Sequence, residues 1–253
     1  MICLNCNTET NGKFCHNCGQ STSTKRFSFV DVISNMFSQV IMVFNKGFLY
    51  TILKLLSRPG HSVREYIQGR RVQMVDFIGL LFFVLIIGAI LKEIFPTELT
   101  IEDIIPDNNT SKDLVRQLID FVRGNQKLFY IIWVPFFALS TTLFFRKKSK
   151  QNYAENLVLN FYNITAGIFI MIVVTNLLKI ISPNDLEILK FVTKKSFFIF
   201  FAYSTWFYYQ YFSFFGYKKL NLFIRSILTY IVGYVSFVIF ILIIMFLKIA
   251  IFN

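Results

Sequence analysis

Five stretches of the chain carry no formal charge: residues 77–91, 128–145, 156–178, 196–217 and 226–247. A helix needs about 20 mostly apolar residues to cross the hydrocarbon core of a bilayer. The last three stretches meet that length, the second is adequate, and the first meets it by extending back over 72–76. Lipid offers backbone amides no partner, so such segments must be helical. The expected architecture is therefore an all-α integral membrane helical bundle of about five transmembrane helices, with spans near 72–91, 128–145, 156–178, 196–217 and 226–247. Composition agrees: 55% of residues are hydrophobic and 32 are Phe, which leaves too little polar surface to cover a soluble globule.

Charge in the connecting segments sets the orientation. Nine Lys or Arg precede the first span, whereas residues 92–127 hold seven acids against five bases. Two short basic loops follow the second and fourth spans, with Arg146, Lys147, Lys148 and Lys150 in one and Lys218, Lys219 and Arg225 in the other. By the positive-inside rule the N-terminus and these loops face the cytoplasm, and the C-terminus faces outward. Met1 to Gln20 has no apolar core of signal-peptide length, so a retained N-terminus at a bacterial inner membrane is the expectation.

The only four cysteines form two C-x-x-C pairs, Cys3/Cys6 and Cys15/Cys18. Four thiolates so spaced can occupy the corners of a tetrahedron, the geometry of a structural Zn²⁺ site, and Gly19 permits the turn after the second pair. A module of residues 1–24 is too small to bury a core, so metal binding must supply its folding free energy. A cytosolic location favours zinc over disulfides. His16 lies between two ligands as a lesser alternative, and a redox dithiol lacks the βαβ surroundings that chemistry uses.

Residues 25–71 join this ribbon to the transmembrane domain, 72–253. Apolar positions from Phe29 to Phe44 recur at helical spacing among polar ones, as in an amphipathic helix lying on the inner leaflet or packed under the bundle. A short apolar run ends at Arg58-Pro59-Gly60. Ser62 and Glu65 then have capping-box spacing for a short helix closing at Gly69. Arg58, Arg64, Arg70 and Arg71 crowd this elbow. They could grip a lipid phosphate, an anionic substrate or an acidic partner, but a role as topology determinants and snorkelling anchors accounts for them more simply.

The order of these features, GKFCHNCGQ, then KGFLYT, RPG and REYIQGRR before apolar helices, resembles a family of bacterial multi-pass membrane proteins known as a domain of unknown function. The resemblance covers about the first third of the chain. In that family an acidic residue often stands where this chain has Asn45, and a Tyr and a Pro often follow the paired basic residues, where 72–77 has neither. The resemblance implies a cytosolic zinc ribbon on an integral membrane domain, and brings no established activity.

Polar residues within spans are costly unless they face protein or water. Asn156, Asn160, Asn163 and Gly167 share one face of the third span, suiting either interhelical hydrogen bonding or a polar solute path. Asp76, Glu155 and Arg225 are expected at the cytoplasmic boundary, where they could pair. Trp206, Tyr208, Tyr209 and Tyr211 read as an aromatic belt, and residues 111–124 as an amphipathic surface helix.

Three classes of function remain open. A non-enzymatic scaffold or regulator would dock a cytosolic protein partner through the ribbon. A small-solute transporter or channel would use the asparagine stripe, although paired broken helices are missing. An enzyme acting on lipid headgroups at the inner leaflet would use His61 and the arginines, although no activated nucleophile is evident. Nucleic acid is not an expected partner, because Lys13 and Glu9 are the ribbon's only charged side chains.

Overall fold

The computed structural model describes residues 1–38, 47–96, 124, 126–182 and 186–252. Among the described residues there is no strand, only two isolated antiparallel bridges, Ile2 with Glu9 and Phe14 with Ser21, one in each cysteine knuckle. The helices are α1 (Phe29–Ser38), α2 (Gly47–Ser57), α3 (Pro59–Ile67), α4 (Phe77–Ile94), α5 (Gln126–Ser149), α6 (Tyr153–Ile181), α7 (Leu186–Phe212) and α8 (Lys219–Phe252).

Among the described residues, four segments are long and apolar enough to cross a membrane: Phe77–Ile94, Leu128–Ser149, Tyr153–Ile181 and Lys219–Ile244. The fourth expected span, 196–217, overlaps α7 only as far as Phe212; that helix is long enough but carries Lys190, Lys194 and Lys195 in its first half and several Ser, Thr, Tyr and Gln side chains in its second. This helix stops at Phe212, before a 3₁₀ turn over Ser213–Phe215 and Gly216 at φ 67°. Large apolar side chains such as Ile86, Ile90, Leu139, Leu143 and Leu242 are exposed on the bundle. Such a surface would be an aggregation liability in water and is what a lipid-facing wall requires.

Helix α6 is the hub, packing against α4, α5 and α7 and, nearer the ribbon, against α1, α2 and α3. Every residue from Ala154 to Ile168 on it is buried. A reciprocal capping box starts the helix: the Glu155 amide donates to Asn152 Oδ1 at 2.8 Å, and the Asn152 amide to Glu155 Oε2 at 3.0 Å. Helix α8 closes the far side against α5 and α7. The abundant phenylalanines fill the interior, as where Phe145 and Phe212 stack with centroids 3.6 Å apart. In lipid such contacts act through dispersion and close packing rather than through removal of apolar surface from water.

The elbow is a helical hairpin wedged into the bundle rather than a solvated loop. Helix α3 packs against α7 and α6, burying Pro59, Gly60, Val63, Tyr66 and Ile67. Pro59 occupies its first turn, where a missing N–H costs nothing. The helix thus begins earlier than the expected Ser62–Glu65 capping box, and Ser62 Oγ instead donates back to the Arg58 carbonyl at 3.0 Å. The expected C-terminus stands: Gly69 sits at φ 114°, and the Arg70 amide returns to the Glu65 carbonyl at 3.0 Å.

Other expectations change. Tyr208 and Tyr211 are wholly buried and belong to the core rather than to an interfacial belt, while Trp206 is partly exposed. Asp76, Glu155 and Arg225 do not pair with one another. Asp76 caps α4 and accepts from Tyr66 Oη at 3.1 Å, Glu155 binds Arg26, and Arg225 binds Asn221 and the Phe144 carbonyl. The amphipathic segment is helical over α1, with 39–44 outside the described residues. The helix expected over 111–124 also lies outside them, apart from Gly124.

Candidate functional site

The two knuckles repeat one backbone design. In each, the amide four residues after the first cysteine closes a tight loop: Asn7 N donates to Cys3 O at 2.9 Å and Gly19 N to Cys15 O at 2.8 Å. Asn7 at φ 59° and Gly19 at φ 75° hold the left-handed conformation that Asn and Gly tolerate best. The first cysteine's own amide then bonds across the loop, Cys3 N to Thr8 O and Cys15 N to Gln20 O. All four sulfurs consequently lie within 4.8 Å of one another, with Cys3–Cys18 and Cys6–Cys15 each at 3.6 Å. These separations are too long for disulfides. They match the spacing of about 3.8 Å that tetrahedral bonds of about 2.3 Å impose on four thiolates.

Electrostatics point the same way. Hydrogen bonds from Thr8 pull the Cys6 thiol down to about 6. The Gln20 amide acts likewise on Cys18, but burial and the neighbouring Cys6 and Cys3 sulfurs outweigh it and push that thiol up to about 11. Four thiols around one point cannot all ionise unless a cation sits among them. The cluster therefore fits a metal ion, and a closed set of four sulfurs leaves no coordination position for water or substrate.

The ribbon is sewn to the elbow by the residue that follows its last turn. Buried Gln20 donates Nε2 to the Gly69 carbonyl at 2.8 Å and accepts the Arg71 amide on Oε1 at 3.1 Å. Leu4, inside the first knuckle, lies over Gly69, where an added Cβ would come within 2.9 Å of its Cδ1. Arg71 completes the seam, donating Nη2 to the Lys25 carbonyl at 2.8 Å with its guanidinium 3.8 Å from the Phe27 ring centroid. Arg26 then binds Glu155 through Nε and Nη2, both at 2.7 Å, tying the linker to the start of α6. Neither the Gln20 clamp nor the Arg26–Glu155 pair has a periodicity that sequence reading could detect. The Asn-x-x-Glu spacing at the start of α6 is a legible capping signal, and sequence reading missed it.

The four elbow arginines separate. Arg71 belongs to the seam. Arg58 and Arg70 share Glu65, Arg58 in close contact and Arg70 at 3.9 Å. Arg64 donates to the Tyr211 carbonyl at 3.3 Å, lies 3.1 Å from His61 Nδ1, and stacks 4.8 Å from the Phe214 ring centroid. Two cavities flank α3. One of about 290 Å³ is lined by Lys54, Arg58, Glu65, Arg70 and residues of α2 and the ribbon. The other, of about 410 Å³, lies between the ribbon linker, α3, the α5–α6 connection and the end of α7.

Burial, followed by the Arg64 and Arg58 charges, holds the His61 imidazole below its usual range, against a smaller opposing pull from Glu65. Neutral His61 can accept from Arg64. As pH falls below about 6.5 the unfolded chain takes up a proton that the folded elbow resists, so stability is present above that pH and lost below it. Thermal unfolding in detergent should therefore show a falling midpoint between about pH 7.5 and 5.5 that His61→Gln flattens. An unchanged slope in the variant would rule His61 out as the source.

The asparagine stripe faces protein. Asn156 Nδ2 donates to Thr142 Oγ1 at 2.9 Å and Asn160 Nδ2 to Thr141 Oγ1 at 3.1 Å, while Asn163 Nδ2 meets Ser204 Oγ and Tyr208 Oη at 3.2 and 3.1 Å. Tyr208 Oη donates onward to Asn160 Oδ1 at 2.7 Å, and Gly167 lies against the Phe200 ring. Asn160→Ala should cost about 1–2 kcal/mol in detergent, since it removes the acceptor of the buried Tyr208 hydroxyl proton, leaving that oxygen only the bond it accepts from Asn163. Tyr208→Phe should then add little to it; full additivity of the two changes would argue against a shared bond.

The ribbon, the α5–α6 connection and the α7–α8 turn thus meet at one end of the bundle, where Arg26 also reaches the Lys150 carbonyl and Lys148 the Gly216 carbonyl. Neither curated proteins nor solved structures contain a match to the chain. Residues 45–88, which cover the elbow hairpin and the first part of α4, match the model of a family described as Protein of unknown function (DUF3667).

Proposed function

We propose that the protein is a non-enzymatic scaffold or regulator of the bacterial inner membrane, with Zn²⁺ held by Cys3, Cys6, Cys15 and Cys18 on the cytoplasmic side. The observation that carries this reading is the Gln20 clamp, because it makes the metal module a fastening for the basic elbow rather than a tethered free domain. Gathering of the basic 146–150 and 216–225 connections around the ribbon supports a cytoplasmic location for all three. The ends of α4 and α6 meet at the opposite face, where Lys179 donates to the Phe95 carbonyl. The Nδ2 groups of all three asparagines donate to neighbouring helices, which favours packing over a solute path, while Asn156 Oδ1 and Asn163 Oδ1 have no partner among the described residues. A cytosolic protein partner would meet the exposed Met1, Ile2 and Phe14 of the ribbon, and anionic headgroups would meet the elbow.

The test uses full-length protein from bacterial membranes. One zinc per chain is expected, with cysteine alkylation after chelation only from the cytoplasmic side. Proteoliposomes should show neither solute flux nor headgroup turnover. Flux abolished by Asn160→Ala would replace this reading with transport, and headgroup turnover abolished by His61→Gln would replace it with catalysis.

A further inference from the structure

The cavity of about 410 Å³ combines segments that lie far apart in the chain. Lys25 comes from the ribbon linker, Arg64 from α3, Lys150 and Gln151 from the α5–α6 connection, and Tyr211 from α7. The one carboxylate among its described lining residues, Glu155, is already occupied by both Arg26 nitrogens and the Asn152 amide. Lys25, Arg64 and Lys150 therefore face the cavity with no ion-pair partner among the described residues. These three cations lack a direct ion pair, although Asp31 acts on Lys25 and Glu65 on Arg64 from further off; gathered around one concave space they repel one another, and an anion relieves that repulsion.

Gln151 narrows the chemistry. The residue is only 7% exposed, its Nε2 contacts Tyr211 Oη, and its Oε1 has no partner among the described residues. A buried amide oxygen left unpaired is costly unless a ligand or water meets it. Because Oε1 is itself occluded, a ligand hydroxyl would meet it only after the side chain turned toward the cavity; with the amide turned over, Tyr211 would donate to Oε1 and the same turn would offer Nε2 to an anionic oxygen. Apolar Leu4, Ile67 and Phe215 complete the wall.

We propose that this cavity binds a phosphate ester bearing a nearby hydroxyl, with Lys25, Arg64 and Lys150 on the phosphate oxygens and Gln151 on the hydroxyl or ester side. The ligand can be an anionic glycerophospholipid headgroup or a soluble phosphate ester of the same chemistry. The assignment deepens the scaffold reading and rests on it for the side of the membrane on which the ligand is met.

The test measures binding to the full-length, metal-loaded protein in detergent. The probes are short-chain phosphatidylglycerol, short-chain phosphatidylcholine, glycerol phosphate and inorganic phosphate. Lys25→Gln combined with Lys150→Asn removes two exposed charges that form no ion pair among the described residues, and Asn suits the φ of 52° at position 150. Phosphatidylglycerol should bind in preference to phosphatidylcholine, with affinity on the order of tenfold weaker in the double variant. Arg70→Gln, in the other cavity, should leave it unchanged. Equal competition by glycerol phosphate would assign the soluble source. Absence of binding by all anionic probes, or binding unaffected in a folded double variant, would overturn the proposal. Cysteine labelling from the outer side would instead sink the scaffold reading's topology while leaving this binding result standing.

Discussion

Gly60→Ala is expected to unseat the elbow from the bundle. A Cβ at position 60 would stand 2.2 Å from the Tyr211 amide nitrogen and 2.6 Å from both the Phe207 carbonyl oxygen and Gln210 Cβ. Two of those three atoms are helix backbone, so no rotamer change makes room and α3 must move away from α7. Overpacking of a core typically costs about 1–3 kcal/mol when side chains can adjust, and this site should lie at or above the upper end. Thermal unfolding in detergent would read the loss. Proteolysis at the arginines of the elbow would show where it falls. Gly88→Ala is the contrast: its Cβ would meet Ile172 Cδ1 at 2.7 Å, the tip of a flexible side chain that can turn aside. Equal stability of the two variants would mean that α3 is not held against α7 as described. The Pro-Gly step, legible in the sequence only as a helix stop, is thus also the close contact that lets a hairpin enter the bundle.

That difference shows where sequence reading ends. Span lengths, the cysteine spacing and the crowding of arginines are local patterns, and the fold class and the four-cysteine cluster follow from them. The meaning of Gly60, by contrast, depends on a helix about 150 residues away in the chain. Gln20 likewise reaches Gly69 across 49 residues, and Arg26 reaches Glu155 across 129. No period or motif connects such partners. The arginines illustrate the consequence: Arg58, Arg64, Arg70 and Arg71 form one basic cluster in sequence, yet they divide among a shared carboxylate, an α7 carbonyl and the ribbon seam. Tyr208 and Tyr211 mislead in the same way. Aromatic residues near a span end suit a membrane interface, and only their burial, Tyr208 against the α6 asparagines and Tyr211 against Gln151, reveals that these two serve the interior. Asn7 is a milder case, since its place after Cys6 mirrors that of Gly19 after Cys18 and marks a second left-handed turn.

Removal of the metal should unfold the ribbon while leaving the helices beneath it. Cys15→Ser tests this most directly, because Cys15 is a buried member of the cluster. The 1–24 module has two isolated bridges and a handful of backbone bonds of its own, far too little to offset the entropy of ordering about twenty residues. Metal binding to such sites contributes on the order of 10 kcal/mol or more, so its loss dominates every other local term. The spanning helices draw their stability from lipid and from one another. Helical circular dichroism should therefore hardly change in the variant or after chelation. The effect should instead pass down the seam: with Gln20 released, the Gly69 carbonyl and Arg71 amide lose their partners. Backbone hydrogen exchange should rise in the ribbon and at 69–71, and hardly at all within α6. Acid should produce the same pattern, since protons compete with metal for the thiolates; the ribbon is held at neutral pH and lost as pH falls. Gln20→Ala separates the two links, because it should expose 69–71 while metal remains bound. If exchange at 69–71 stayed at its original rate after the metal was gone, the ribbon would be a passenger on the elbow rather than its fastening.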